Sequence, residues 1–113
     1  MPPKDDLVYA GQMLDMARKA QAAVHGKDRA AHNADEILRL ALTHLVQVIG
    51  EAARHTSDAF RADHPELPWK AIMGMRHKVV HDYMDVDEDV VWETVTHDLP
   101  ELIRLLEQIV PAD

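Results

Sequence analysis

Apolar residues along this 113-residue chain recur at steps of three and four, the period of a helix buried on one face. Leu7, Ala10, Leu14, Ala17, Gln21 and Val24 form one such stripe and predict an amphipathic helix over about residues 4–25. Gly26 follows it and suits a C-terminal cap, because glycine enters the left-handed region without steric cost. A second stripe, with Ile37, Leu38, Ala41, Leu42, Leu45, Val48, Ile49 and Ala52, and Ala53 alongside, predicts a long helix that Asp28 or Asn33 caps. The pattern carries it to about Arg61. Gly50 lies inside it, where glycine costs about 1 kcal/mol against alanine, so Gly50 marks a close helix crossing or a bend. His64-Pro65-Glu66-Leu67-Pro68 is the main break, since its two prolines cannot continue a helix. Pro68 then opens a third helix through Trp69, Ile72, Met73, Arg76, Val79 and Val80, ending near Asp82–Tyr83. Asp87, Glu88 and Asp89 suit the start of a last helical region, where the backbone presents partial positive charge. Val90, Val91, Val95, Leu99, Leu102, Ile103, Leu106, Ile109 and Val110 supply its stripe. Pro100 bends or splits it, with Asp98 capping the second half, and Pro111 ends it.

No stretch alternates with period two for long enough to read as a strand. The predicted fold is all-α: four helices, or five if Pro100 divides the last, in one antiparallel bundle over residues 1–113. The few aromatics, Tyr9, Phe60, Trp69, Tyr83 and Trp92, leave the core to aliphatic side chains. There is no cysteine, so disulfides and thiolate chemistry are excluded. No apolar run approaches the roughly 20 residues that cross a bilayer, and Met1-Pro2-Pro3-Lys4-Asp5-Asp6 has no apolar signal core. A soluble, cytoplasmic protein is expected.

A formal charge of −8 argues against broad, salt-driven binding to nucleic acid. The charge is uneven, however. Residues 68–83 carry Lys70, Arg76 and Lys78 against Asp82 alone, whereas residues 84–101 carry Asp85, Asp87, Glu88, Asp89, Glu93, Asp98 and Glu101 with no lysine or arginine. A phosphate ligand would therefore meet a small basic site beside an acidic run.

That basic segment contains Arg76-His77-Lys78-Val79-Val80-His81-Asp82-Tyr83. A guanidinium matches a phosphate with two parallel hydrogen bonds, and an imidazole both gives and takes protons near neutrality. Together they suffice to cleave RNA without metal or cofactor. One imidazole takes the proton of the ribose 2′-hydroxyl, a second acid protonates the leaving 5′-oxygen, and arginine steadies the charge on phosphorus. On one straight helix, five residues at about 100° each set His81 some 140° around from Arg76. Either the helix loosens before His81, or two copies of the segment meet across a two-fold axis, which would also supply a second histidine.

These residues resemble the HEPN superfamily, and within it the HepT-like branch, whose pattern is arginine, four residues, histidine, one residue, tyrosine: here Arg76, His81 and Tyr83. The flanks match too, with Ile49-Gly50-Glu51-Ala52-Ala53, Pro68-Trp69, Gly74-Met75-Arg76, Val91-Trp92 and Asp98-Leu99-Pro100, so that the likeness covers about residues 5–110. The resemblance implies a HEPN-like helical homodimer, or a higher oligomer built from dimers. It implies a ribonuclease toxin with Arg76 and His81 catalytic, paired with a minimal nucleotidyltransferase antitoxin that silences it by AMPylation of Tyr83. The residue after the arginine is commonly asparagine in the family and here is His77, which adds a proton-transfer group or preserves a polar contact.

Blander readings stand beside these. Arg76 and His81 on spacing alone suit a structural ion pair, and Tyr83 a helix-end ring with a wet hydroxyl. His77 and His81, four apart, would face together toward a metal, with no third ligand evident. Lys78 either holds phosphate or is solvated, and Glu51 either pairs with Arg76 or faces water. Trp69 and Trp92 read as packing residues, and His25, His32, His44, His55, His64 and His97 as scattered surface or capping groups. The alternative function is a non-catalytic subunit that binds a nucleotide or recruits a nucleotidyltransferase. A purely structural dimer is a third reading, which a buried Arg76 would favour.

Overall fold

The computed structural model of the chain describes residues 4–82 and 85–112, with backbone alone at residues 4, 80–82 and 85. Helix α1 spans Lys4–Val24, and Gly26 follows it with φ of 73°, the left-handed cap that the sequence predicts. The long second stripe divides into α2 (Arg29–Ala34), α3 (Glu36–His55) and α4 (Asp58–Asp63). Each has its own polar N-cap. Asp28 accepts from the Ala31 amide at 2.9 Å, Asp35 from the Leu38 amide at 3.0 Å, and Ser57 from the Phe60 amide at 3.1 Å.

Ser57 explains why α3 stops short of Arg61. The buried carboxylate of Asp6, on α1, accepts from the Ser57 amide at 2.7 Å and from its hydroxyl at 2.8 Å. That pair of bonds pins an extended break between α3 and α4 and turns Asp6 inward. The buried face of α1 is accordingly Ala10, Met13, Leu14, Ala17 and Ala20, while Leu7 and Gln21 face outward. Ile37 also departs from its expected place: it is 74% exposed.

Helix α1 lies along α3 and the last helix, α8 (Leu99–Ile109), small alanines allowing close approach. The core is one cluster: Met13, Leu42, Val46, Ile49, Ile72, Val79, Val91, Val95, Leu99 and Leu106 are its large, fully enclosed members. Each aliphatic side chain of this kind contributes about 1.5–3 kcal/mol through burial. Trp69 is buried too, its indole N–H donating to the His64 carbonyl at 2.8 Å, and Trp92 packs beside His32. His32 is a surprise, fully buried with its Nε2 unpartnered among the described residues.

The predicted third helix is two short ones, α5 (Trp69–Met73) and α6 (Met75–Val79), with Pro68 as the N-cap residue and Gly74 between them. Beyond Val79 the chain is extended. β1 (Val80–Asp82) and β2 (Asp85–Val86) form a small antiparallel ribbon that pairs Val80 with Val86 and Asp82 with Asp85. The ribbon is too short to leave a period-two signature in sequence. Asp87 caps α7 (Glu88–Glu93), its carboxylate accepting from the Val90 amide at 3.1 Å. Pro100 interrupts the last helical region, as the sequence predicts, without ending it. Proline offers no N–H to the turn before it, and the chain answers with a wide π turn over Thr94–Asp98, in which the Leu99 amide donates to Thr94. Helix α8 (Leu99–Ile109) continues from it, and Asp98 stays helical and caps nothing. The architecture is thus the all-α, HEPN-like bundle that the periodicity and the resemblance predict, interrupted only by the ribbon among the described residues.

Candidate active site

Gly50 sets the geometry. A Cβ there would stand 3.0 Å from the Ile72 carbonyl oxygen, 3.6 Å from Met75 Cβ and 3.8 Å from the Arg76 amide. Only glycine lets α3 approach the α5–α6 junction so closely. The crossing brings the exposed Arg76 beside the outer stripe of α3. There a depression of about 190 Å³ is lined by His44, Gln47, Val48, Glu51 and Arg76.

Arg76, His77 and Lys78 are all exposed in the single chain. They do not share a face. Lys78 opens instead onto a separate groove of about 430 Å³ between α5–α6 and the π turn, with an apolar floor of Ile72, Met75, Leu102 and Leu105. Among the described residues that line the Arg76 depression, the imidazole is that of His44 and not His77. Glu51 lines the same depression as Arg76, but its Oε1 is 3.5 Å from His55 Nε2, so its nearest partner is one turn along its own helix.

The backbone leaves the helix at Val80, one residue before His81. The first of the two remedies for the Arg76–His81 angle is therefore present within one chain, since His81 is not held to the helical phase of Arg76. The His81 side chain and Tyr83 lie outside the described residues. Among the described residues no three His, Asp or Glu side chains converge to hold a metal ion.

His44 is the site residue that the periodicity does not single out. The signal was there, since His44, Gln47, Val48 and Glu51 recur at steps of three and four. What no pattern on α3 reveals is which other helix lies against that stripe.

The ribbon's far end is anchored. Glu88, one residue into α7, accepts from Arg39 Nε at 3.0 Å, and Arg39 also donates to the carbonyls of His32, at 3.3 Å, and Asn33. Arg29 pairs with Asp89. The start of α7 is thus tied to the first residue of α2 through Arg29 and to the end of α2 through Arg39 of α3.

The chain is thus a helical bundle that presents an exposed arginine on a short helix, followed by an extended histidine-bearing segment. The model of the ribonuclease HepT-like family matches residues 13–109, and the chain belongs to that family. It is 37% identical over 79 residues to a protein of Caldanaerobacter subterraneus subsp. tengcongensis named as a putative RNase, an alignment covering 70% of each chain. It is 36% identical over 75 residues to a protein of Thermococcus cleftensis named as a probable ribonuclease HepT, covering 66% of this chain and 68% of the relative. A Methanocaldococcus jannaschii protein whose name joins gamma-glutamylcyclotransferase and putative RNase is 26% identical over 110 residues, which span 94% of this chain and half of that one. No solved structure matches the chain. No described helix is long and apolar enough to cross a membrane.

Proposed function

We propose that this chain is a toxin-type endoribonuclease that cleaves RNA without metal, using Arg76 and His81. The observation that carries the reading is an exposed Arg76 at a small open depression, with the chain released from helical phase before His81. Relatives named as ribonucleases support RNA as the substrate. In the reaction the 2′-oxygen attacks phosphorus as its proton passes to an imidazole. The P–O5′ bond breaks as a second acid supplies a proton to that oxygen, leaving a 2′,3′-cyclic phosphate and a 5′-hydroxyl. Arg76 holds the equatorial oxygens, and a guanidinium does this best where charge builds on the phosphorane. DNA, which has no internal nucleophile, is not cut. His77 and Lys78 contact neighbouring phosphates of the strand, and Glu51 steadies the cationic side chains beside it.

Two copies assemble about the site. Ile37, 74% exposed, and Leu40, 60% exposed, stand on the same side of α3 as His44 and Val48, so an uncovered apolar surface runs up to the Arg76 depression. A second chain covering it would bring two His81-bearing segments near each other. A minimal nucleotidyltransferase antitoxin then silences the toxin by attaching AMP to Tyr83, two residues beyond His81, where added phosphate and bulk obstruct RNA.

The test is purified, unmodified protein on total RNA with excess chelator, wild type against Arg76→Ala and His81→Ala. Cleavage by wild type alone is expected, and equal cleavage by all three refutes the assignment. The formal charge of −8 favours the second reading, a non-catalytic subunit that binds a nucleotide or a nucleotidyltransferase. Tight partner binding with no cleavage at all would establish it.

A further inference from the structure

We propose that His44 is a second imidazole of the site, contacting the scissile phosphodiester from α3 and carrying one of the two proton transfers. The inference rests on the ribonuclease reading above.

The chemistry needs two proton carriers, one to accept from the 2′-hydroxyl and one to donate to the 5′-oxygen. Within one chain the motif supplies a single histidine two residues before its tyrosine, so the second carrier is either His81 of a second copy or another imidazole of the same chain. His77, the neighbour of Arg76 in sequence, is exposed but is absent from the described lining of the Arg76 depression. His44 is present there although 32 positions separate it from Arg76 in sequence. Its placement follows from the Gly50 crossing, which sets the α3 stripe against α6. His44 is exposed, so its ring reaches a ligand without first leaving a packed position.

Arg76 from α6 and Glu51 from α3 are the charged groups of the depression, and Gln47 and Val48 complete its lining. In the general-acid role His44 gives its proton to O5′ as the P–O5′ bond breaks; His44 becomes neutral and the alkoxide leaves as a hydroxyl, so protons and charge balance across the step.

The experiment uses the full chain in its native assembly. Single-turnover cleavage of an RNA oligonucleotide is followed from acid to alkaline pH for wild type, His44→Gln, His44→Ala and, as a control remote from the site, His25→Gln. General acid–base catalysis contributes about 100- to 10,000-fold. His44→Gln should therefore slow cleavage at least about 100-fold and remove one limb of the bell-shaped profile, and His25→Gln should keep both limbs. Imidazole added to His44→Ala should restore part of the rate. A His44→Gln profile that keeps both limbs, at a rate within a few-fold of wild type, overturns the inference and leaves the ribonuclease reading intact.

Wild type that cuts no RNA refutes the ribonuclease reading instead, and the contact is then decided by NMR. A 2′-O-methyl RNA oligonucleotide, which has the phosphodiesters without the nucleophile, should shift the His44 ring resonances in wild type and not in Arg76→Ala. Unmoved resonances at saturating oligonucleotide overturn the inference whatever the cleavage result.

Discussion

Replacing Gly50 by alanine tests the crossing on which the site depends. Two effects oppose each other. Alanine in a helix interior is favoured over glycine by about 1 kcal/mol. Against that, the new Cβ would lie 3.0 Å from the Ile72 carbonyl oxygen, a backbone atom that moves only if α5 and α6 move with it. Overpacking of this kind costs about 1–3 kcal/mol. The expected net change is a destabilisation of about 1 kcal/mol, equivalent to a drop in Tm of about 4–8 °C in a domain of this size. Gly11→Ala is the control. Gly11 lies inside α1, and a Cβ there would meet nothing within 4 Å. That variant keeps the propensity gain and should be stabilised by about 0.5–1 kcal/mol. Chemical denaturation of both variants, with the denaturant slope held fixed, isolates the crowding term as their difference, about 2 kcal/mol. Cleavage provides a second readout, because a shift of α5–α6 displaces Arg76, and small misplacements of a positioning group cost about tenfold or more in rate. Equal stabilisation of the two variants, with cleavage unchanged, would mean that α3 does not hold α6 at that distance and would refute the account of how Arg76 is placed.

Three further outcomes rest on named contacts. Asp6→Ala removes the buried acceptor of both the Ser57 amide and its hydroxyl, and should cost about 2–3 kcal/mol by urea denaturation; a loss below about 0.5 kcal/mol would show the α3–α4 break to be held by something else. Arg39→Ala cuts the link from the end of α2 to Glu88, so amide exchange should quicken in α7 and at the Asp87–Val79 bond of the ribbon, while α1 keeps its protection; uniform acceleration everywhere would contradict a local anchor. The hydrogen bond from Arg104 holds the Glu101 carboxyl below its ordinary range. A lowered carboxylate contributes stability above its unfolded value and loses it as pH falls through its folded one, but this pair is fully exposed and screened. Glu101→Gln should therefore leave the unfolding midpoint unchanged at neutral pH, and NMR titration should find Glu101 returning toward ordinary carboxylate behaviour in Arg104→Ala.

Much of the fold is legible along the chain because helices declare themselves locally. The first helix, its Gly26 cap, Asp28 as one of two candidate caps, the acidic start of α7 and the break at His64–Pro68 follow from residue types and spacing. The errors fall where a distant contact decides. The α3 stripe runs on in sequence to Arg61, but Asp6, 51 positions earlier than Ser57, turns the serine into a cap and breaks the helix. Likewise the apolar period runs past Val79 into Val80, whereas the chain there pairs with Val86 and opens a ribbon.

The sequence by itself determined that this is a helical protein, that Gly50 marks either a crossing or a bend, and that the basic segment around Arg76 resembles the family to which the chain belongs. It could do so because helical period, capping and a contiguous motif are properties of neighbours along the chain. Only the tertiary structure decided that His44 and Glu51 share a depression with Arg76, that Lys78 faces another groove, and that His81 stands outside the helix. Those facts depend on which helix lies against which, and at what distance, and such pairings arise from packing many side chains together rather than from any local run of residues.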